Sequence, residues 1–324
     1  MDTKTNISMG LDAGFGAVKI FSQGRGLELL SQVAANGGQH LDGMLGLKQA
    51  ERPLMVETVD GQFYVGAHTH QYGRLIENLN FDRLNNSPEI RALVYGAWTK
   101  HAQANGIFEA PLSLMVALPI QTMVEDMRDY RKSICEWLKG SHTWKADGIS
   151  YSVTVERART NSQPAMALFD FVLDDDAKRI KEHSFALTSE IGIISVGFNT
   201  IELMVVESQT VTEAATGGEK FGVRRLLELL NPNRKYTMGH LDLKLREGTL
   251  NYREKLPIWA NEVNGVIENI WDKALDRFTS VLVVGGGALL LGDLLRLQGK
   301  GIVLDNPVRA IARGSDKYDR AKRS

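Results

Sequence analysis

Cysteine is almost missing from this chain. Cys135 stands alone in 324 residues, which excludes an intramolecular disulfide and a thiolate metal cluster and fits a reducing compartment. An excess of one charge is missing as well: 38 Lys and Arg face 39 Asp and Glu, for a net charge of −1. No such chain carries a field that would by itself hold DNA, RNA or an anionic membrane, so any contact with nucleic acid is expected to run through a partner. No stretch reaches the roughly 18 apolar residues of a membrane span. The start, Asp2-Thr3-Lys4-Thr5, is polar and lacks the apolar run of a signal peptide. A soluble, cytoplasmic protein is the expectation. Metal-ligand spacing is absent too: the histidines form no H-x-x-x-H pair, and His68 and His70 flank one threonine, a spacing commoner on exposed strands and loops.

What is present is an ordinary globular balance, 43% hydrophobic and 24% charged, in a chain long enough for two domains of roughly 150 residues. Ile7 to Leu11, Ala17 to Phe21 and Leu27 to Ser31 read as an antiparallel meander joined by glycine-rich turns. Residues 35 to 70 read as a small insert, irregular from Ala35 to Leu47 and then a hairpin around Asp60-Gly61. Ser87-Pro88 caps a helix whose face is Ile90, Leu93, Val94, Ala97 and Trp98, and which Gly106 ends. A buried strand, Leu112 to Leu118, and a helix, Met123 to Leu138, follow. Strand-like Thr143 to Lys145 and Ile149 to Glu156 precede a helix from Pro164, and the domain change is expected near Asn161.

The second half repeats the opening layout: Ile191 to Ser195, a glycine turn, then Ile201 to Val206. Gly217 to Leu230, Met238 to Arg246 and Pro257 to Leu275 read as helices. Val281 to Val284 runs into Gly285-Gly286-Gly287 and a helix Ala288 to Leu295, and the chain closes with a strand at Gly301 to Leu304 and a helix from Pro307. Trp98, Trp137, Trp259 and Trp271 fall in helical patterns and read as packing residues. Asp174-Asp175-Asp176 reads as a solvated turn and Arg320, Lys322 and Arg323 as a frayed basic tail.

Two turns carry the chemistry. In Gly10-Leu11-Asp12-Ala13-Gly14-Phe15-Gly16 the glycines remove Cβ atoms so that backbone N–H groups can converge on phosphate oxygens. Asp12 at the turn entrance suits the waters of Mg²⁺, and Lys19 suits phosphate charge. Taken alone, the same residues also make a plain hairpin. Gly197, Asn199 and Thr200 in the second turn supply another backbone approach with an amide and a hydroxyl donor. Gly285 to Gly287 does not fit the G-x-G-x-x-G dinucleotide spacing. Two phosphate-gripping turns suggest a nucleotide clamp between two domains.

These residues resemble the actin, Hsp70 and sugar-kinase superfamily, and within it the bacterial actin-like ATPases of the ParM/StbA plasmid-segregation type. The resemblance rests on the first turn with Lys19, on Leu114 to Pro119 as a connecting segment, on Ser162-Gln163-Pro164-Ala165-Met166-Ala167, on Ser195 to Thr200, on Val281 to Leu290 and on Asn306 to Gly314, all in the family's order. It implies an α/β fold of two ribonuclease-H-like domains around a central nucleotide cleft. Domain I would span 1–160 and domain II 161–304, with a helical subdomain at about 215–278 and a C-terminal helix in 305–324 returning to domain I.

The resemblance also implies ATP with Mg²⁺ as cofactors and assembly into filaments. Asp12 would organise Mg²⁺ waters and Gln163 would orient the attacking water. Gly14, Phe15, Gly16 and Lys19 would meet the phosphates, Gly197, Asn199 and Thr200 the γ-phosphate, Gly217, Gly218, Glu219 and Lys220 the ribose or base, and Gly285, Gly286 and Gly287 the adenosine. One position departs from the family, which has aspartate where this chain has Ser195. A hydroxyl brings no charge to a metal or water, so slow hydrolysis is expected. Glu202 is a candidate to stand in, against which strand alternation counts.

The implied function is an ATP-binding filament protein, an ATPase activated by polymerisation, that segregates plasmid-like DNA through a DNA-binding adaptor. Two alternatives remain open. One is a small-molecule kinase, which needs a general base that no spare aspartate beside the second turn supplies. The other is a nucleotide-binding scaffold with little turnover, for which Ser195 is the argument.

Overall fold

A computed structural model describes residues 6–35, 51–78 and 80–323. Most of the irregular stretch expected between Ala35 and Leu47 lies outside them. Among the described residues a ten-stranded sheet takes up the first half. Its strands are β1 (Ile7–Ala13), β2 (Ala17–Ser22), β3 (Arg25–Leu30), β4 (Val33–Ala35), β5 (Leu54–Thr58), β6 (Gly61–Val65), β7 (Arg74–Leu75), β8 (Leu112–Leu118), β9 (Gly140–Ala146) and β10 (Ile149–Ser162), in the spatial order β3-β2-β1-β8-β10-β9-β5-β6-β4-β7. β1, β8 and β10 are parallel, and β1-β2-β3 is the antiparallel meander. β10 runs well beyond Glu156, because its second half pairs with β8 as far as Ser162.

The second sheet has six strands: β11 (Glu190–Val196), β12 (Ile201–Glu207), β13 (Thr210–Val211), β14 (Gly217–Glu219), β15 (Ser280–Val284) and β16 (Gly301–Val303). β11 pairs antiparallel with β12 and parallel with β15, as β1 does with β2 and β8. The helices are α1 (Pro88–Asn105), α2 (Arg128–Leu138), α3 (Gln163–Val172), α4 (Val223–Leu230), α5 (Met238–Arg246), α6 (Leu256–Trp271), α7 (Ala274–Arg277), α8 (Ala288–Leu291) and α9 (Ala310–Ala321). The whole is an α/β fold of two lobes with a cleft between them.

Strand alternation divides the core into three layers. Leu112, Leu114, Val116 and Leu118 of β8 pack with Ile90, Leu93, Ala97 and Trp98 of α1. The α1 helix forms because Ser87 accepts a hydrogen bond from Ile90 N at 3.3 Å and Gly106, with φ 92°, ends it. The opposite face of β8, Met115 and Ala117, joins Met166, Ala167, Ile191, Ile193, Ile311 and others in a middle layer. A third layer covers the far face of the second sheet with α4, α6 and α8.

The middle layer holds the lobes together, since α3 leads out of the first sheet and α9 packs on α3, β1, β8 and β2. This contact depends on missing side chains: a Cβ on Gly10 would lie 1.9 Å from Ala312 O, and one on Gly314 1.9 Å from Met166 O. Arg313 adds a two-pronged ion pair to the buried Asp170 at 2.6 and 2.7 Å.

Several expectations change. The helix expected from Met123 starts only at Arg128, and the one expected from Ala288 to Leu295 ends at Leu291. Gly217 to Glu219 is a strand pairing with β12 rather than helix, and α4 starts only at Val223. Adjacent glycines are poor helix formers, and Gly218 lies close under the Gln121 side chain, whose amide a Cβ at 218 would displace. The helix expected as far as Leu275 breaks after Trp271, at Asp272 with φ 37°. The basic C-terminus is not frayed: Lys317 is buried and donates to Leu173 O at 2.9 Å, Arg320 pairs with Asp316 at 3.0 Å, and Arg323 pairs with Asp319. Buried carboxylates on α9 need those partners.

Candidate functional site

The two glycine turns, from opposite lobes, line one cleft of about 350 Å³. Asp12, near the end of β1, is 1% exposed. The β1–β2 register sets it across from Lys19, and Lys19 Nζ donates to Asp12 Oδ2 at 3.0 Å. Gln163, the first residue of α3, donates from Nε2 to Asp12 Oδ1 at 2.8 Å. Ser162 caps that helix by accepting from Ala165 N at 3.3 Å, so the cap fixes where Gln163 enters the cleft.

The first turn is supported from behind by Arg83. Its guanidinium lies over the Phe15 ring, 4.4 Å from the centroid, and donates to Gly14 O at 3.0 Å. Burial pulls its pKa down to about 10, against the opposing pull of Glu89 and Tyr130. Ser31 Oγ donates to the same carbonyl at 2.6 Å. With the carbonyl of Gly14 held outward, the turn is fixed facing the cleft.

The second turn is closed by Gly197 N donating to Thr200 O at 2.9 Å. The first amides of α4 are used up on it: Val223 N donates to Gly197 O at 3.0 Å and Arg224 N to Phe198 O at 2.7 Å. Ser195, Asn199 and Thr200 are buried at the cleft wall. Behind them Glu202, fully buried, accepts from Thr200 Oγ1 and from Ile120 N, each at 3.1 Å. Burial, opposed by those two hydrogen bonds and aided by Asp12, pushes its pKa up to about 8.

At the third glycine cluster the residues differ in role. A Cβ on Gly285 would meet Val196 O at 2.3 Å and one on Gly287 would meet Val196 Cγ1 at 2.3 Å, so both let β15 pass the end of β11. Gly286 has open space above it and lines the cleft, beside the apolar Leu289, Leu290, Val308 and Ile311. Leu289 is 64% exposed, a large apolar side chain offered to whatever flat group enters there.

Of the residues singled out by sequence, the structure brings together Asp12, Gly14, Phe15, Gly16, Lys19, Gln163, Gly197, Asn199, Thr200, Gly285 and Gly286. Gly217, Gly218, Glu219, Lys220 and Gly287 do not line the cleft. The first three form β14, Glu219 and Lys220 are exposed, and Gly287 N donates to Val196 O at 3.0 Å. Reasoning from sequence missed Asp242, Leu245 and Arg246, which α5 brings to the cleft. Arg246 donates to Asp242 at 2.9 Å and, across the lobes, to Glu28 of β3 at 2.5 Å. The i, i+4 spacing of Asp242 and Arg246 was the available sign, though nothing local names Glu28. Among the described residues no group of three or more His, Cys, Asp or Glu is arranged to hold a metal directly. No helix of the described residues is long and apolar enough to cross a membrane.

Residues 10–165 match the family described as Actin like proteins N terminal domain. Among solved structures, a ParM of a 15-stranded filament from Clostridium botulinum is 17% identical, with 99% of this chain and 100% of that one covered and a TM-score of 0.73. A Bacillus thuringiensis ParM with AMPPNP is 15% identical over 99% and 100%, with a TM-score of 0.69. An archaeal actin homologue in complex with ADP is 17% identical over 98% and 100%, with a TM-score of 0.69. No curated protein sequence matches significantly.

Proposed function

We propose that this chain, an actin-like protein in its N-terminal domain and in its whole fold, binds ATP with Mg²⁺ in the cleft, hydrolyses it slowly and assembles into filaments that segregate a DNA element through an adaptor. The observation that carries the reading is that Gly14 to Gly16 and Gly197 to Thr200, from opposite lobes, face one cleft together with Asp12, Lys19 and Gln163. The first turn offers a polyphosphate backbone N–H groups without Cβ shielding; in the second, where the Gly197 N–H is spent on Thr200 O, Asn199 and Thr200 offer an amide and a hydroxyl. Lys19 supplies positive charge, and the Gln163 amide, with its NH₂ donating to Asp12, leaves its carbonyl oxygen to accept a hydrogen bond from an attacking water and so orient it.

The residues fit Mg²⁺ held in the usual way, through one carboxylate, waters and phosphate oxygens. Asp12 is that carboxylate and would reach the ion through water; the ion would offset phosphate charge. Leu289, Leu290, Val308 and Ile311 suit an apolar base, and the Arg246 bridge to Glu28 joins the lobes beside Gly16. The ParM filament from Clostridium botulinum and the AMPPNP- and ADP-bound relatives support assembly and nucleotide binding by likeness of fold. Near-neutral charge favours an adaptor over direct DNA contact.

Ser195, 2% exposed at the cleft wall, favours a second reading, a scaffold that binds nucleotide and turns it over little. A kinase is less favoured. The carboxylates lining the cleft, Asp12 and Asp242, are engaged by Lys19 with Gln163 and by Arg246, which among the described residues leaves no free carboxylate base for an acceptor. Phosphate release measured against protein concentration, with electron microscopy of the same samples, tests the proposal. A concentration threshold with filaments supports it, and ATP turnover that is linear in a monomeric protein removes it.

A further inference from the structure

Glu202 sits beside the cleft with no task in the reading above. It lies opposite Ser195 on β11 and Gly218 on β14, so cross-strand pairing, rather than alternation along one strand, decides which face it shares. Its carboxyl is sealed from water. Oε2 accepts from the Ile120 backbone N–H, a group that only donates, and Oε1 faces Thr200 Oγ1 at 3.1 Å. A proton on this carboxyl therefore belongs on Oε1, aimed at Thr200. The charged group acting on it is Asp12 of β1, itself paired with Lys19 of β2 at 3.0 Å; Ser195, Gly218 and Ile120 carry no charge.

We propose that Glu202 is a positioning residue that sets which way the Thr200 hydrogen bond runs, and with it whether Thr200 grips a terminal phosphate. As a neutral acid, Glu202 donates from Oε1 to Thr200 Oγ1, and the hydroxyl proton of Thr200 is free to turn into the cleft toward a phosphate oxygen. As a carboxylate, it accepts that proton instead, and Thr200 presents only lone pairs, which repel phosphate. One proton on one oxygen thus selects between donor and acceptor at the wall of the cleft. Burial favours the neutral acid at neutral pH, and the switch falls where the pKa of about 8 puts it. A nucleoside triphosphate feels the switch and a diphosphate, lacking the terminal group, does not.

The inference rests on the reading that a triphosphate occupies the cleft, and the experiment separates the two. AMPPNP and ADP affinities of the full chain are measured by calorimetry at about pH 7 and about pH 9, on either side of the switch. In the parent, preference for AMPPNP over ADP should fall about tenfold as pH rises, the worth of one hydrogen bond to a charged group. Glu202→Gln donates from its amide to Thr200 and accepts from Ile120, so it copies the neutral acid and should keep its preference at both values. Thr200→Val should show low preference at both, and Thr200→Ser should behave as the parent. A Glu202→Gln protein that loses preference in step with the parent, a parent whose preference is flat with pH, or a flat Thr200→Ser, overturns the proposal. A parent that binds neither nucleotide overturns the triphosphate reading itself.

Discussion

Gly16 and Phe198 touch across the lobes: a Cβ built on Gly16 would lie 2.8 Å from the Cβ of Phe198. The tips of the two turns are thus in contact, and their spacing is set by the missing side chain of one of them. Gly16→Ala should wedge the lobes apart. Overpacking costs about 1 to 3 kcal/mol, which appears as roughly tenfold to hundredfold weaker nucleotide binding while each lobe stays folded. Calorimetric titration together with circular dichroism checks it; unchanged affinity would mean that the tips do not gauge the cleft.

Arg83 holds the first turn by its bond to Gly14 O and its contact with Phe15. Arg83→Met should lower stability by about 1 to 3 kcal/mol, the cost of losing a buried charged hydrogen bond, and weaken nucleotide binding with it. Arg83→Lys should not restore either, because an ammonium lacks the planar fork that reaches both Gly14 O and Asn78 O. Urea denaturation and nucleotide titration of both variants measure this.

A carboxylate at position 195 would face Glu202 across the strand pair, in a wall that already holds Asp12. Ser195→Asp should therefore melt lower than the parent without Mg²⁺, by the cost of one uncompensated buried charge, about 3–5 kcal/mol, and regain stability with Mg²⁺ and ATP. Under the scaffold reading its hydrolysis should also rise from near zero. Thermal melts with and without Mg²⁺, paired with phosphate release, give both readouts.

His70 of the first lobe and His240 of the second meet with Nε2 and Nδ1 3.4 Å apart, while His68 lies 3.9 Å from Glu247. Burial, then His240 and His68, hold the His70 pKa below its ordinary 6.5. A group whose proton affinity falls when the lobes meet favours the contact only while neutral. The contact is therefore complete above pH 6.5 and weakens as pH falls through that value and below, with half-exposed Glu247 offsetting part of the repulsion. Scattering or interlobe fluorescence transfer should report opening on acidification, and His70→Phe should remove the pH dependence.

Much of the fold was legible because it is local. The Asp60-Gly61 hairpin, the capped helix from Pro88 and the buried run of β8 follow from residues that are neighbours in the chain. The two glycine turns were legible for the same reason: Gly14, Gly16 and Gly197 sit in short segments between apolar strand runs. Arg83 gave no local sign, since the carbonyl it supports lies 69 residues away, and the Gly217 to Glu219 strand was hidden because its pairing partner is β12.

The residues alone were enough to place two strand-turn-strand units and their starting points, and to single out Lys19 by its charge and Asp12 and Gln163 by their polar side chains, because short-range geometry depends on side-chain type. Which residues face each other was left to packing. That Glu202 stands behind Thr200, that Arg246 reaches Glu28, and that Gly10 and Gly314 are gaps for α9 and α3 depend on register and on close approach between distant segments, distances that a linear order of residues does not contain.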